Sequence, residues 1–203
     1  MSMFFIACLG NPGKEYEQTR HNTGAMALEA FRKAAELREW KEDKGRKALV
    51  SGGKVGRQKV LLVFPQTYVN KSGETLRGIK DLRFKIYDKK KEIQNLIVIH
   101  DDLDIPFGSY KISFNKSSGG HKGVESVIKV LKTQAFVRVR VGIAQSAAAV
   151  KKSQDDATVE RIILGKYTAQ QLATLKKLSR RISEALVCLI TEGREKAMSQ
   201  YHN

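Results

Sequence analysis

Residues 4–13 read FFIACLGNPG, an apolar run that ends abruptly in glycine, asparagine and proline. A short apolar run bounded by turn residues is typical of a buried β-strand. Two further runs of this kind follow, Val60–Phe64 ended by Pro65 and Leu96–His100 ended by a run of aspartates. Together with Val137–Ile143, these runs predict the central strands of one sheet.

Helix-like segments alternate with these strands. Thr23–Leu37, a segment starting near Ser72, and the residues from His121 to Leu131 carry apolar side chains at helical spacing. Strands that alternate with helices are typical of an α/β protein with parallel strands. The sequence therefore predicts an α/β fold: a single domain over residues 1–203 with a mixed, mostly parallel twisted sheet flanked by helices.

The last helix has the clearest local signal. In the run 168–171, TAQQ, the Thr168 hydroxyl and the Gln171 amide can each satisfy a backbone N–H group, which predicts a helix from about residue 169. Gly193 is predicted to end this helix. The basic, glycine-containing segment Lys41–Gly56 is predicted to be a hairpin or surface excursion. Gln145–Asp156 has no strong period and is interpreted as a surface loop or a mobile cover over a groove.

The charge balance favours a polyanionic partner. Lys and Arg number 37 against 21 Asp and Glu, a net charge of +16, and such a surface attracts nucleic acid before specific contacts form. A solubility adaptation is the alternative. Cys8 and Cys188 show no metal-ligand spacing and suit a reducing compartment. No secretory leader or membrane-length apolar stretch is visible, so we expect a cytoplasmic protein without a membrane partner.

Polar residues follow the predicted strands. In open α/β sheets, chemistry takes place beyond the carboxyl ends of the strands. Asn11 follows the first strand, Asn70 the second, and Asp101, Asp102 and Asp104 the third. We expect these groups to converge on one crevice.

His21 lies just before the first predicted helix. Imidazole suits general-base chemistry near neutral pH, provided that a partner fixes its tautomer, and Asp101 is a candidate for that role. A surface or capping histidine is the alternative. Asn11 and Asn70 could hold a peptide backbone or an ester carbonyl without adding charge, although asparagine is also common in turns.

The aspartate run raises a minor alternative. His100, Asp101, Asp102 and Asp104 are residue types that bind metals, but neighbouring residues of a strand point to opposite faces, so the four cannot all converge. The chain also lacks a nucleophile elbow and a phosphate-binding loop. Water is therefore the more natural nucleophile, and no metal or cofactor is expected.

A glycine loop opens the helix near His121. Gly119 and Gly120 precede it, and the free N–H groups of the first helical turn would favour an anion there, with Lys116 and Lys122 adding positive charge. An ordinary tight turn is the alternative.

These pieces together resemble the bacterial-type peptidyl-tRNA hydrolase family, and the resemblance spans nearly the whole chain. The motifs that carry it are LGNPG at 9–13, TRHNTG at 19–24, PQTYVNKSG at 65–73, HDDLD at 100–104, GGHKG at 119–123 and RVRVGI at 138–143. Their order along the chain makes the signal specific. The resemblance implies a monomeric hydrolase that cleaves the ester between peptide and tRNA, so that the tRNA is recycled.

The resemblance also implies residue roles. His21 would activate water, Asp101 would orient His21, and Asn11 and Asn70 would position the substrate and stabilise the oxyanion. The cleft would be lined by Tyr16, Tyr68, Asn70, Gly119, Gly120, His121 and Lys122. Arg140, with Lys111 and Lys116, would hold a tRNA phosphate.

Three departures from the family pattern leave an alternative open. Lys122 stands where the family usually has asparagine, and Ser113 stands at a usually basic position. The residues after Ile143 also lack the usual glycines. A non-catalytic RNA-binding relative, like the chloroplast splicing factors on this fold, is therefore the main rival. A metal-dependent phosphoesterase is a lesser one.

Overall fold

The computed structural model describes residues 3–77, 79, 82, 84–87, 90–145 and 155–201. Within these residues, one mixed sheet of eight strands forms the centre of the fold. The strands are β1 (Met3–Cys8), β2 (Lys41–Asp43), β3 (Ala48–Val55), β4 (Gln58–Pro65), β5 (Phe84–Tyr87), β6 (Lys90–Pro106), β7 (Tyr110–Phe114) and β8 (Ala135–Ala144). The helices are α1 (Thr23–Ala34), α2 (Ser72–Arg77), α3 (Lys122–Leu131), α4 (Asp156–Leu164), α5 (Ala169–Thr191) and α6 (Arg194–Gln200).

The strand order is β2-β3-β4-β1-β6-β8-β7, and β5 pairs with β6. The four central strands β4, β1, β6 and β8 are parallel, and the other strands join antiparallel. The predicted mixed α/β sheet is thus confirmed, with its parallel part at the centre. Because the carboxyl ends of β4, β1 and β6 are neighbours, the residues that follow them meet at one edge.

Helices cover both faces of the sheet. Alternate residues of β1 point to opposite faces, so Ile6 joins the core formed with α1 and α5, whereas Phe5 joins the core formed with α2 and α3. Full burial of one such side chain contributes about 1.5–3 kcal/mol. Packing in the two cores holds the sheet against its helices and so fixes the positions of the polar residues at the sheet edge.

The predicted C-terminal helix is confirmed as α5. The Thr168 hydroxyl accepts a hydrogen bond from the backbone N–H of Gln171 at 3.3 Å, and the Gln171 side-chain oxygen accepts from Thr168 N at 3.0 Å. The helix ends at Thr191, and Gly193 follows with a φ of 97°. A left-handed backbone of this kind favours glycine and prevents continuation.

Several predicted boundaries were wrong. The third strand does not end at His100, because β6 keeps pairing with β8 through Asp102 and again at Pro106. The helix from Ser72 ends at Arg77, and Ile79 is buried beyond it in a turn, with its N–H bonded to the Leu76 carbonyl.

The segments predicted to be a hairpin and a surface loop can also be compared with the structure. Lys41–Gly56 forms the predicted hairpin, but it is more than a surface excursion, since β3 pairs with β4 along its whole length. Most of Gln145–Asp156 lies outside the described residues; Gln145 follows β8, and Asp155 caps α4 by accepting a hydrogen bond from Thr158 N at 2.9 Å.

Candidate active site

His21 lies in a short 3-10 turn, Arg20–Asn22, that leads directly into α1. Gly24 allows this turn to approach the sheet closely. A Cβ atom at Gly24 would lie 2.5 Å from the Ile99 carbonyl oxygen and 3.0 Å from that of Leu9. Because only glycine fits there, α1 begins against the ends of β1 and β6, and His21 is placed beside Asp101.

Two histidines share one carboxylate oxygen. His21 Nδ1 lies 2.9 Å from Asp101 Oδ1, and His121 Nε2 lies 3.0 Å from the same atom. His121 Nδ1 accepts hydrogen bonds from the N–H groups of Gly123 and Val124, so its proton is on Nε2 and is donated to Asp101. The carboxylate likewise accepts the Nδ1 proton of His21, which leaves Nε2 of His21 with a free lone pair.

The charge on Asp101 favours the protonated form of His21. Burial by itself would lower the pKa of His21, but the charge of the Asp101 carboxylate and its hydrogen bond outweigh burial and raise that pKa above its ordinary value. Burial would raise the pKa of Asp101, yet His21 and His121 hold it far below its usual range. Asp101 therefore stays ionised and can stabilise an imidazolium at His21.

His100 is a third histidine next to this cluster. Its ring is edge-on to that of His121, with centroids 4.8 Å apart, and its Nδ1 donates to the Asp101 backbone carbonyl at 2.7 Å. Its Nε2 is buried and has no hydrogen-bond partner among the described residues. Burial, followed by the electrostatic interaction with the neighbouring His121, lowers the pKa of His100 well below its ordinary value. A neutral His100 ring packs against His121 without adding charge.

Asn11 is held in place by Asn22, the residue that follows His21. Its side-chain oxygen accepts from Val69 N at 3.0 Å, and its backbone N–H and C=O both bond to the Asn22 side chain, at 2.8 and 2.9 Å. Within the described residues, nothing accepts a hydrogen bond from Asn11 Nδ2, so this group is free to donate. The role of Asn22 was missed in the sequence, although it lies inside the TRHNTG motif.

Within the described part of the chain, the other predicted cleft residues make no hydrogen bond to this cluster. Asn70 and Tyr68 are exposed in the turn after β4, with Tyr68 60% exposed, and Val69 between them packs inward. Tyr16 is half-buried in the 3-10 turn Lys14–Tyr16. Lys122 is exposed at the first position of α3.

The anion site predicted at the start of α3 was wrong. Gly119 and Gly120 do form an exposed turn with left-handed backbone, at φ 61° and 81°. However, His121 caps the helix, and its ring takes the N–H groups of Gly123 and Val124. Those N–H groups are therefore used to fix the tautomer of His121 rather than to bind an anion.

A basic face lies at the far edge of the sheet. Lys111 and Arg140 are directly opposite each other in the β7–β8 pairing, so their side chains share a face. Arg140 Nε donates to Asp102 Oδ2 at 2.7 Å. Lys116 is exposed in the loop after β7 and is not part of this pairing.

Arg138 belongs to the same face and was given no role from the sequence. It is 1% exposed, and its Nε and Nη2 atoms have no partner in the described part of the chain. Burial, and then the charge of Arg140, lower its pKa to about 10, while Asp102 opposes the shift. Arg138 thus remains a cation behind Arg140 at neutral pH and adds to the positive potential of this face.

Metal-ligating atoms come together at one place among the described residues, in His21, Asp101 and His121, within 4.8 Å of one another. The His121 nitrogen that faces the group carries a proton, as does that of His21, and both are donated to the carboxylate. A metal would have to displace both hydrogen bonds. Asp102 instead pairs with Arg140, as the alternation of strand side chains predicts.

The arrangement defines a class of protein. An imidazole that is oriented by a buried carboxylate and has its other nitrogen free suits a hydrolase that activates water for attack on an acyl carbon.

Comparisons with known proteins agree. The sequence profile of the family described as peptidyl-tRNA hydrolase matches residues 5–203. A peptidyl-tRNA hydrolase of Lachnospira eligens is 35% identical over 98% of this chain and 100% of its own length. One of Alkaliphilus oremlandii is 37% identical over the same shares. The crystal structure of peptidyl-tRNA hydrolase from Acinetobacter baumannii has a TM-score of 0.81 at 26% identity, covering 98% of this chain and 94% of that one.

This chain belongs to the peptidyl-tRNA hydrolase family, and the resemblance predicted from its motifs is confirmed.

Proposed function

We propose that this chain hydrolyses the ester bond between peptide and tRNA in peptidyl-tRNA, with His21 as the general base. The reaction is supported by membership in the family over nearly the whole chain. The observation that carries the residue assignment is the 2.9 Å contact between His21 Nδ1 and Asp101, which leaves Nε2 of His21 free to accept a proton.

The geometry gives each group a step. A water molecule attacks the ester carbonyl carbon and transfers a proton to His21 Nε2. The charge on the carbonyl oxygen is stabilised by donors from Asn11 Nδ2 and the exposed Asn70. When the intermediate collapses, the bond to the ribose oxygen breaks, and His21 returns the proton to that oxygen. Asp101 remains ionised and stabilises the imidazolium between the two transfers.

The surroundings are assigned to substrate binding. Tyr16, Tyr68, Gly119, Gly120, His121 and Lys122 would line the cleft for the peptide ester. Arg140, Lys111 and Lys116 would bind a tRNA phosphate, and the ion pair with Asp102 orients the Arg140 guanidinium for that contact.

We also propose that the protein acts as a monomer in the cytoplasm. One chain supplies every group named in the mechanism. None of the described helices is both long and apolar enough to cross a bilayer.

The test is hydrolysis of N-acetylated aminoacyl-tRNA by wild type and His21→Ala, with and without a chelator. We expect a loss of at least about a hundredfold in the variant, the scale of general-base catalysis, with unchanged tRNA affinity and no effect of chelator. Equal activity in the variant would refute the role of His21. Inactivation by chelator would support a metal-dependent enzyme, and tight RNA binding without hydrolysis by wild type would support the splicing-type alternative.

A further inference from the structure

The turn that carries His21 is held by a second segment, far away in sequence. We call residues 165–171, which comprise the linker between α4 and α5 and the first residues of α5, the strap. Arg20 N donates to the Gly165 carbonyl at 3.0 Å, and Tyr167 N donates to the Gln18 carbonyl at 3.0 Å. The strap is thereby paired with the backbone on the N-terminal side of His21.

The Arg20 side chain fastens the two segments together. It is 6% exposed, and it donates from Nη1 to the Lys166 carbonyl at 3.1 Å and from Nη2 to Gln171 Oε1 at 3.4 Å. Its guanidinium also lies over the Tyr167 ring, 4.9 Å from the centroid. A buried guanidinium needs such partners, so any movement of the strap disturbs the residue next to His21.

A chain of hydrogen bonds connects Tyr167 to the peptide bond of His21. Thr23 Oγ1 donates its one proton to the Arg20 carbonyl at 2.6 Å, and that carbonyl belongs to the peptide bond that His21 completes. Thr23 Oγ1 also lies 2.7 Å from the Tyr167 hydroxyl. Since the threonine proton is already used, the tyrosine must be the donor. Burial, with the charge of Asp101, raises the pKa of Tyr167 to about 12, so this donor is kept near neutral pH.

We propose that Tyr167 is a positioning residue for His21, acting through Thr23 and the Arg20 carbonyl. The inference rests on the proposed role of His21 as the base. Asn22 fixes the other side of the turn through Asn11, so the tyrosine relay supplies the second of two anchors around the imidazole. With both anchors in place, His21 Nδ1 stays in contact with Asp101, and Nε2 keeps a constant direction toward the cleft.

The test is Tyr167→Phe, which removes the hydroxyl and keeps the ring under Arg20. We expect kcat to fall about fivefold, the scale of one net hydrogen bond, with KM unchanged because no cleft residue is altered. The acid limb of the pH profile should move to lower pH, since a looser contact with Asp101 raises the His21 pKa less. Thr23→Ser, which keeps both hydrogen bonds, should retain wild-type kcat, and Thr23→Val should behave like Tyr167→Phe.

Tyr110→Phe is the matched control. The Tyr110 hydroxyl is also buried and donates to a backbone carbonyl, that of Arg181 at 3.5 Å, but it is not part of the site. This variant should change the melting temperature without moving the pH profile. If Tyr167→Phe does not fold, the comparison of Thr23→Ser with Thr23→Val decides.

Wild-type kcat and an unmoved acid limb in Tyr167→Phe, or in Thr23→Val, would overturn the proposal. If such a result is obtained while His21→Ala is inactive in the same assays, only the Tyr167 relay is excluded and His21 remains the proposed base. Full activity of His21→Ala would instead remove the proposed base itself.

Discussion

The substitution Asp101→Asn examines the electrostatics of the site most closely. The amide can still accept the two imidazole hydrogen bonds through its oxygen, at the positions now 2.9 and 3.0 Å from the nitrogens. The negative charge is lost. A hydrogen bond to a charged group contributes about 1.5–3 kcal/mol against about 1 kcal/mol for a neutral one. Only the His21 contact becomes an ion pair as the imidazolium forms, so losing the carboxylate charge should cost about 1–2 kcal/mol of transition-state stabilisation.

That cost corresponds to a loss of about 5- to 30-fold in kcat. The acid limb of the pH profile should also move, and the direction follows from the two effects that set the His21 pKa in wild type. His21 must be neutral to act as a base, and Asp101 raises its pKa against the effect of burial. Without the charge, burial prevails and the pKa falls, so activity is retained to lower pH although its plateau is reduced.

The assay is the pH dependence of N-acetyl-aminoacyl-tRNA hydrolysis by wild type, Asp101→Asn and the control Asp102→Asn. Asp102 is the neighbouring residue, but it pairs with Arg140 rather than with His21. At saturating tRNA the control should keep the wild-type kcat plateau and acid limb, because loosening Arg140 alters KM rather than the chemical step. A plateau in Asp101→Asn equal to that of wild type, or an acid limb that moves to higher pH, would refute the reasoning.

Three further predictions concern other parts of the site. Arg140→Ala should weaken tRNA binding and reduce the salt slope of log K by about one, measured by filter binding across a salt series, since one phosphate contact is lost; an unchanged slope would exclude that contact. Lys122→Asn should keep or raise hydrolysis in the same tRNA assay, because it restores the residue usual in the family, and a severe loss would show that the lysine is itself required. The pKa of His100 is lowered in the folded state, so the stability that depends on a neutral His100 is present above the unfolded-state pKa of about 6.5 and is lost as pH falls below it. Between pH 7 and pH 5, urea unfolding should therefore show a smaller drop in the free energy of unfolding for His100→Gln than for wild type. An equal drop in the two proteins would contradict a buried neutral His100.

Part of the fold could be predicted because its signals are local. The capping box at Thr168 needs residues three apart, β1 is a continuous apolar run, and β8 alternates valine with arginine. The boundary of β6 could not be predicted in this way, since Asp101 and Asp102 are poor strand formers and are kept in the strand by pairing with β8. Tertiary pairing overrides local preference there.

The candidate site likewise contains residues that the sequence predicts and contacts that it does not. His21, Asp101 and Asn11 could be proposed because strand ends and the motif pattern point to them. The role of His121 as a cap for α3 depends on where its ring turns, and the contact of Thr23 with Tyr167 joins residues 144 positions apart. Neither carries a periodic or compositional signal, so only the three-dimensional structure could reveal them.

The most direct measurement is the NMR titration of the His21 ring, compared with the acid limb of kcat/KM in the free enzyme. If His21 is the base, the two pKa values agree and both lie above the ordinary value for histidine. Replacement of Asp101 by asparagine then lowers both together. A His21 ring that titrates apart from the acid limb, or an acid limb that persists unchanged in His21→Ala, would contradict the account.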